Sequence, residues 1–238
     1  MNSRAKMLGM NDTVYTDCTG MGEGNVTTAK DTALLCSELA KYKNLTPYLT
    51  CWLDTVRDGK AELVNLNRLV RTYKGVTGMK AWGSEKAGSC IAATAEKGDM
   101  SVCVVLNGCD SQEDMNAEAK KLLNLAFDTY EIYTPELPED MVKETVVCGG
   151  EELSVELAPK GLYPIVIPRG TYRMVECDFT AEEKLDAPVK KGETAGEIRY
   201  TMGGEVILEG KIVACKEVKE MNFICGIKKL VYNLLSMQ

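Results

Sequence analysis

The sequence predicts an α/β unit followed by an all-β sandwich and a terminal amphipathic helix. Three features of the 238 residues lead there. Helical and strand periodicities alternate up to about residue 130, and only short alternating runs follow. Pro135 and Pro138, set among acidic residues in Tyr133 to Asp140, break the chain between the two regimes. A helical period then returns over residues 222–238. The expected divisions are therefore 1–130, 131–221 and 222–238.

Met1 to Met10 reads as the last turns of an amphipathic helix, so more sequence is expected upstream. A polar, glycine-rich loop, Asp17 to Asn25, leads into a helix over Thr28 to Tyr42, with Ala29, Ala33, Leu35, Cys36 and Leu39 as its apolar positions. Met79 to Trp82, Gly88 to Ala95 and Met100 to Leu106 read as strands, the last nearly continuous in apolar residues and hence central. Glu96 to Asp99 is a four-residue hairpin turn. Asp110 to Tyr130 is a helix capped by Ser111, with Glu113 and Asp114 in its first turn and Met115, Ala119, Leu122, Leu123 and Ala126 on its apolar face.

In the second region, strands are expected at Met141 to Cys148, Glu152 to Ala158, Tyr163 to Ile167, Tyr172 to Phe179, Ile198 to Met202, Glu205 to Leu208 and Lys211 to Val218. Glycine and proline pairs punctuate them, as in a small sandwich. In the last segment Phe223, Ile227, Leu230, Val231, Leu234 and Leu235 share one face, with Lys228 and Lys229 opposite. That face suits either docking on the sandwich or lying in the plane of a membrane surface.

Composition excludes several chemistries. The chain has no histidine, so Ser-His-Asp and Cys-His nucleophiles and His-ligated zinc are ruled out within it. Its 35 acidic residues against 28 basic ones, a net charge of -7, disfavour nucleic acid. The ten cysteines include no Cys-x-x-Cys pair, and most lie in apolar runs. They read as buried reduced thiols, with a disulfide framework as the alternative. No run is long enough to span a membrane, and the N-terminus lacks the regions of a signal peptide.

Collinear strings resemble the serine-type D-alanyl-D-alanine carboxypeptidases, the low-molecular-mass penicillin-binding proteins. Lys6-Met7-Leu8-Gly9-Met10 is similar to that family's Lys-x-Leu-Gly-Met turn, and Thr28-Ala29-Lys30-Asp31 to its Thr-Ala-Arg-Asp helix start. Asn65-Leu66-Asn67-Arg68-Leu69 and Gly75 to Lys80 resemble its Asn-Thr-Asn-Arg-Leu segment and the approach to its Lys-Thr-Gly strand. Ala87 to Cys90, the helix Ala117 to Leu123, Tyr163 to Gly170 and Ala187-Pro188-Val189-Lys190-Lys191-Gly192 continue the match into the β-rich region.

The resemblance implies a β-lactamase/transpeptidase-like first domain, present in part, and the family's β-sandwich domain after it. It also implies a serine acyl-enzyme that trims peptidoglycan stem peptides, binds β-lactams and works outside the cytoplasmic membrane. Without a leader the chain would stay in the cytoplasm. No cofactor or metal is implied. The family's Ser-x-x-Lys and Ser-x-Asn belong upstream of residue 1. The local Ser3-Arg4-Ala5-Lys6 falls within the Lys-x-Leu-Gly-Met helix, and no Ser-x-Asn occurs. Lys80 takes the lysine position of Lys-Thr-Gly, with Ala81 and Trp82 for Thr and Gly; a one-residue slip would bring Gly83 to the glycine position. Lys80, Ala81, Trp82 and Gly83 are thus the expected substrate strand, and Asp31 either orders the loop beside it or serves as a first-turn helix acid. Turnover is not expected from these residues alone. A noncatalytic wall-binding paralogue, or a subunit completed by a separately encoded N-terminal half, are the alternatives.

Overall fold

The computed structural model describes residues 1–20, 22–223 and 226–227. The chain forms two compact units, 1–131 and 132–238.

The first unit opens with α1 (Asn2–Met7). This helix ends where Gly9 takes φ +78°, so that the Met10 N–H returns to the Ala5 carbonyl at 3.0 Å. Helix α2 (Ala29–Leu39) is capped by Thr28, whose hydroxyl accepts from the Asp31 N–H at 3.1 Å. Then come α3 (Thr46–Leu49), started by Pro47, the hairpin β1 (Leu53–Val56) and β2 (Ala61–Val64), and α4 (Leu69–Thr72). No strong periodicity marks residues 43–75, because most of these elements are exposed. What builds the hairpin is its turn, where Arg57, Asp58 and Gly59 all adopt positive φ.

Strands β3 (Val76–Ser84), β4 (Gly88–Lys97) and β5 (Met100–Cys109) form an antiparallel sheet in the order β3-β4-β5. The expected strands are present and longer than read. The central strand, however, is β4 and not β5. Its small residues explain this: Cys90, Ile91, Ala93, Thr94 and Ala95 are buried on both faces, and α2 and α5 (Gln112–Thr129) both pack against β4 and β5. Small residues let β4 be buried on both faces, and β5, which carries the larger contact with the two helices, lies at the edge of the sheet among the described residues.

Ser111 caps α5 by accepting from the Asp114 N–H at 3.0 Å, and Met115, Ala119, Leu123 and Phe127 form its buried stripe. Ser111→Ala is expected to cost the first unit about 1 kcal/mol, read as a lower midpoint in urea followed by tryptophan fluorescence. Strand β6 (Tyr130–Tyr133) follows α5 directly.

The second unit contains β7 (Glu144–Cys148), β8 (Ser154–Lys160), β9 (Ile165–Pro168), β10 (Val175–Ala181), β11 (Lys184–Asp186), β12 (Thr194–Met202) and β13 (Glu205–Ala214). Six of them form one sheet in the order β10-β12-β13-β8-β7-β11. The sheet passes from one half to the other through β8: Ser154 to Glu156 pair with β7, and Leu157 to Lys160 with β13. Val147, Val155 and Leu185 from one half join Ile198, Tyr200, Leu208 and Ile212 from the other in a single core. The Tyr200 hydroxyl donates to the Glu136 carbonyl at 2.9 Å, and its ring meets that of Tyr133 edge-on, with centroids 6.3 Å apart.

The two strands expected at Glu205 to Leu208 and Lys211 to Val218 are one, β13. Gly210 lies within this strand as a point of close approach, since a Cβ there would come within 2.7 Å of the Leu162 side chain. The amphipathic helix expected over 222–238 falls for the most part outside the described residues. Among the described residues no helix is long and apolar enough to cross a membrane.

Candidate functional site

Strand β3 pairs with β4 through Lys80↔Ala92, Ala81↔Ile91, Trp82↔Cys90 and Gly83↔Ser89. Its other edge has no neighbour among the described residues. Alternation along the strand sorts the side chains. Ala81 is 2% exposed, on the covered side of the sheet, whereas Lys80 and Trp82 emerge together on the open side, the indole 47% exposed. Trp82 is thus directed to the same exposed side as Lys80, while Ala81 faces the covered side. At Gly83 a Cβ would approach the Gly88 carbonyl oxygen to 2.9 Å, so glycine is needed there for contact with β4.

Behind β3, Gly78 takes φ +146°, and a Cβ on it would stand 2.9 Å from the Leu49 Cβ. That contact seats α3 against the strand. A polar segment missed as a site feature in the sequence holds α3 in place. The Asn65 side-chain amide donates to the carbonyls of Leu49 and Cys51 at 3.3 and 3.0 Å. Its carbonyl accepts from the Asn67 N–H at 2.9 Å, and the Asn67 side-chain carbonyl accepts from the Leu69 N–H at 3.1 Å. The signal was the Asn-x-Asn ahead of a short helix, a pattern suited to capping. Asn67 is fully buried, and its Nδ2 has no hydrogen-bond partner among the described residues.

Asp31 belongs to a different cluster, at the α1–α2 junction. Its Oδ2 accepts from the Asp12 N–H at 2.9 Å and from the Thr13 hydroxyl at 2.7 Å, and the residue is 2% exposed. Its N–H is capped by Thr28 at the start of α2, and its carboxylate fastens the chain just after α1.

The loop between them is organised by Asp17. The Thr19 hydroxyl, the Asn25 amide and the N–H groups of Thr19, Gly20 and Gly22 all donate to its carboxylate. Those donors, the Thr19 hydroxyl foremost, hold its carboxyl well below the usual carboxylate range. Ser3 and Lys6 are both exposed on α1, where Arg4 instead pairs with Glu38 at 2.5 Å. Among the described residues no group of three or more Cys, Asp or Glu side chains is arranged to hold a metal ion.

The sequence profile of the D-alanyl-D-alanine carboxypeptidase family matches residues 1–110, and that of the C-terminal domain of penicillin-binding protein 5 matches residues 127–220. The D-alanyl-D-alanine carboxypeptidase DacF of Bacillus subtilis is 31% identical over 234 residues, covering 96% of this chain and 60% of its own length. DacC of Escherichia coli is 30% identical, covering 94% of this chain and 56% of itself. The chain thus spans 60% or less of these two curated relatives. Penicillin binding protein 5 from Haemophilus influenzae superposes with a TM-score of 0.76 at 24% identity, over 92% of this chain and 64% of that one. The carboxypeptidase DacD from Francisella tularensis gives 0.64 at 21%, over 92% and 67%. At those identities the two structures establish a shared fold. With both profiles matching in sequence order and both curated relatives aligned over nearly all of its residues, the chain belongs to the D-alanyl-D-alanine carboxypeptidase family, peptidase family S11.

Proposed function

We propose that this chain recognises the D-alanyl-D-alanine end of peptidoglycan stem peptides along β3, and that these 238 residues by themselves do not cleave it. The observation that carries the reading is the open edge of β3. Its unpaired backbone groups can accept an extended peptide as an added strand, with the exposed Lys80 ammonium on the same side to meet a terminal carboxylate. Family chemistry is acyl transfer: a serine attacks the carbonyl between the two D-alanines, the terminal one leaves, and water releases the acyl-enzyme. A lysine must take the serine proton, and hydrogen-bond donors must face the developing oxyanion. Ser3 and Lys6 stand exposed on α1, and Ala81 offers no hydroxyl where the family's strand has threonine. β-Lactams, as mimics of the same dipeptide, are expected to bind without acylating. By family resemblance the place of action is the outer face of the cytoplasmic membrane.

Titration of the purified chain with a synthetic stem pentapeptide tests this. Saturable binding without release of D-alanine is expected, and Lys80→Ala should weaken it by about tenfold, the worth of one charge-assisted hydrogen bond. Release of D-alanine, or no binding at millimolar peptide, contradicts the proposal.

Two observations favour a second reading, in which a separate polypeptide supplies the front of the domain. The outer edge of β5 is unpaired, and the buried Asn67 Nδ2 lacks an acceptor, among the described residues. In that case acylation appears only when the second polypeptide is added.

A further inference from the structure

Trp82 is a large apolar side chain left 47% exposed on an edge strand, and no cation or ring packs on its indole among the described residues. The other tryptophan shows the contrast, since the Arg71 guanidinium stands over the Trp52 ring, 5.0 Å from its centroid. We infer that the bare indole of Trp82 determines specificity on β3, by taking a lysine-type side chain two residues before the terminal carboxylate of a stem peptide. The inference rests on the reading of β3 as the recognition strand, and adds to it the residue that selects among peptides.

The direction of the added strand follows from β3 itself. Toward Val76 the strand is irregular: its register with β4 shifts between Val76 and Gly78, and Leu49 of α3 packs against Gly78. From Met79 to Ser84 the pairing with β4 runs without a shift. A peptide whose carboxylate meets Lys80 therefore extends along the regular part, past Trp82 to Ser84, and so lies antiparallel to β3.

With its terminal residue opposite Lys80, the residue two before it stands opposite Trp82. Side chains directly across an antiparallel pair share one face of the sheet, with Cβ atoms about 5 Å apart. Lys80 and Trp82 both emerge on the open side. An L-lysine at the third position of a stem pentapeptide therefore lays its aliphatic stem along the indole and brings its ammonium over the ring. Ala81, between them, is turned to the covered side, and Glu85 and Lys86 in the turn after β3 offset one another in charge. The indole is thus what distinguishes one third residue from another.

Calorimetric titration of the 238-residue chain with synthetic L-Ala-γ-D-Glu-L-Lys-D-Ala-D-Ala, and with norleucine or alanine in place of the lysine, tests this. The lysine peptide is expected to bind about threefold more tightly than the norleucine peptide, the worth of a cation over an exposed ring, and about tenfold more tightly than the alanine peptide. In Trp82→Ala the three peptides should bind alike, while Trp82→Phe, with its smaller ring, should keep a preference of about twofold for lysine over norleucine. Fluorescence of Trp52, unchanged in both variants, shows that the unit is folded. Equal binding of the lysine and norleucine peptides by the unaltered chain, or the full lysine preference persisting in Trp82→Ala, overturns the inference while leaving β3 as the recognition strand. Failure of all three peptides to bind the unaltered chain overturns that reading, and the inference with it.

Discussion

Replacing Gly196 by alanine is expected to destabilise the β-rich unit by about 3 kcal/mol or more, a large effect for one methyl group. Gly196 lies on β12 opposite Ala181 of β10, beside an irregularity in the β12–β13 ladder. A Cβ there would fall 2.0 Å from the Thr180 carbonyl oxygen and 2.9 Å from the Ala181 Cα. Both are backbone atoms in a paired strand, so neither can rotate aside as a side chain would. Relief requires β10 to move away from β12, which opens the ladder over the core residues Ile198 and Tyr200. Both tryptophans, Trp52 and Trp82, lie in the first unit, so their fluorescence should be unchanged in this variant. Hydrogen exchange should show β10 and β12 amides losing protection; full protection in both strands would contradict the account.

Asp31→Ala should lower the stability of the first unit by about 2 to 3 kcal/mol. The Asp12 N–H and the Thr13 hydroxyl both donate to one carboxylate oxygen, and removing it takes the acceptor from a part-buried N–H and from a buried hydroxyl. Asp31→Asn separates hydrogen bonding from charge. Its carbonyl oxygen can occupy the Oδ2 position and accept both bonds, so the loss should shrink to about 1 kcal/mol, the interaction of a carboxylate with a helix N-terminus. Thermal unfolding followed by tryptophan fluorescence reads both. Equal losses in the two variants would show that charge, and not the acceptor, governs the site.

The elements legible in the sequence were those whose side chains are sorted by a core. Helix α5 announced its cap at Ser111 and its stripe at Met115, Ala119 and Leu123 because one face is buried against the sheet. The β1–β2 hairpin escaped notice because both of its strands are mostly exposed and its identity rests on the backbone of Arg57 to Gly59. Gly210, inside β13, is a point of close approach whose reason, the Leu162 side chain, is far away in sequence. Strand β5 was taken as central for its apolar run. The decisive property, a residue small enough to be covered on both sides, belonged to β4.

The site divided in the same way. Lys80, Ala81, Trp82 and Gly83 are proposed as the substrate strand from the order of matching strings, and their placement on one strand follows from the pairing with β4. Which of them face outward required the sheet's covered side to be known, and it set Lys80 with Trp82 and turned Ala81 inward. The Asn65 bonds that hold the end of α3 join segments that local pattern alone does not connect.

The proposal that these residues recognise the dipeptide end but do not perform acyl transfer is tested most directly with a fluorescent penicillin. Incubated with the purified 238-residue chain and resolved under denaturing conditions, the reagent is expected to leave no covalently labelled band. A band that survives denaturation and maps to a serine of this chain would show that the chain carries its own nucleophile, and would contradict the account.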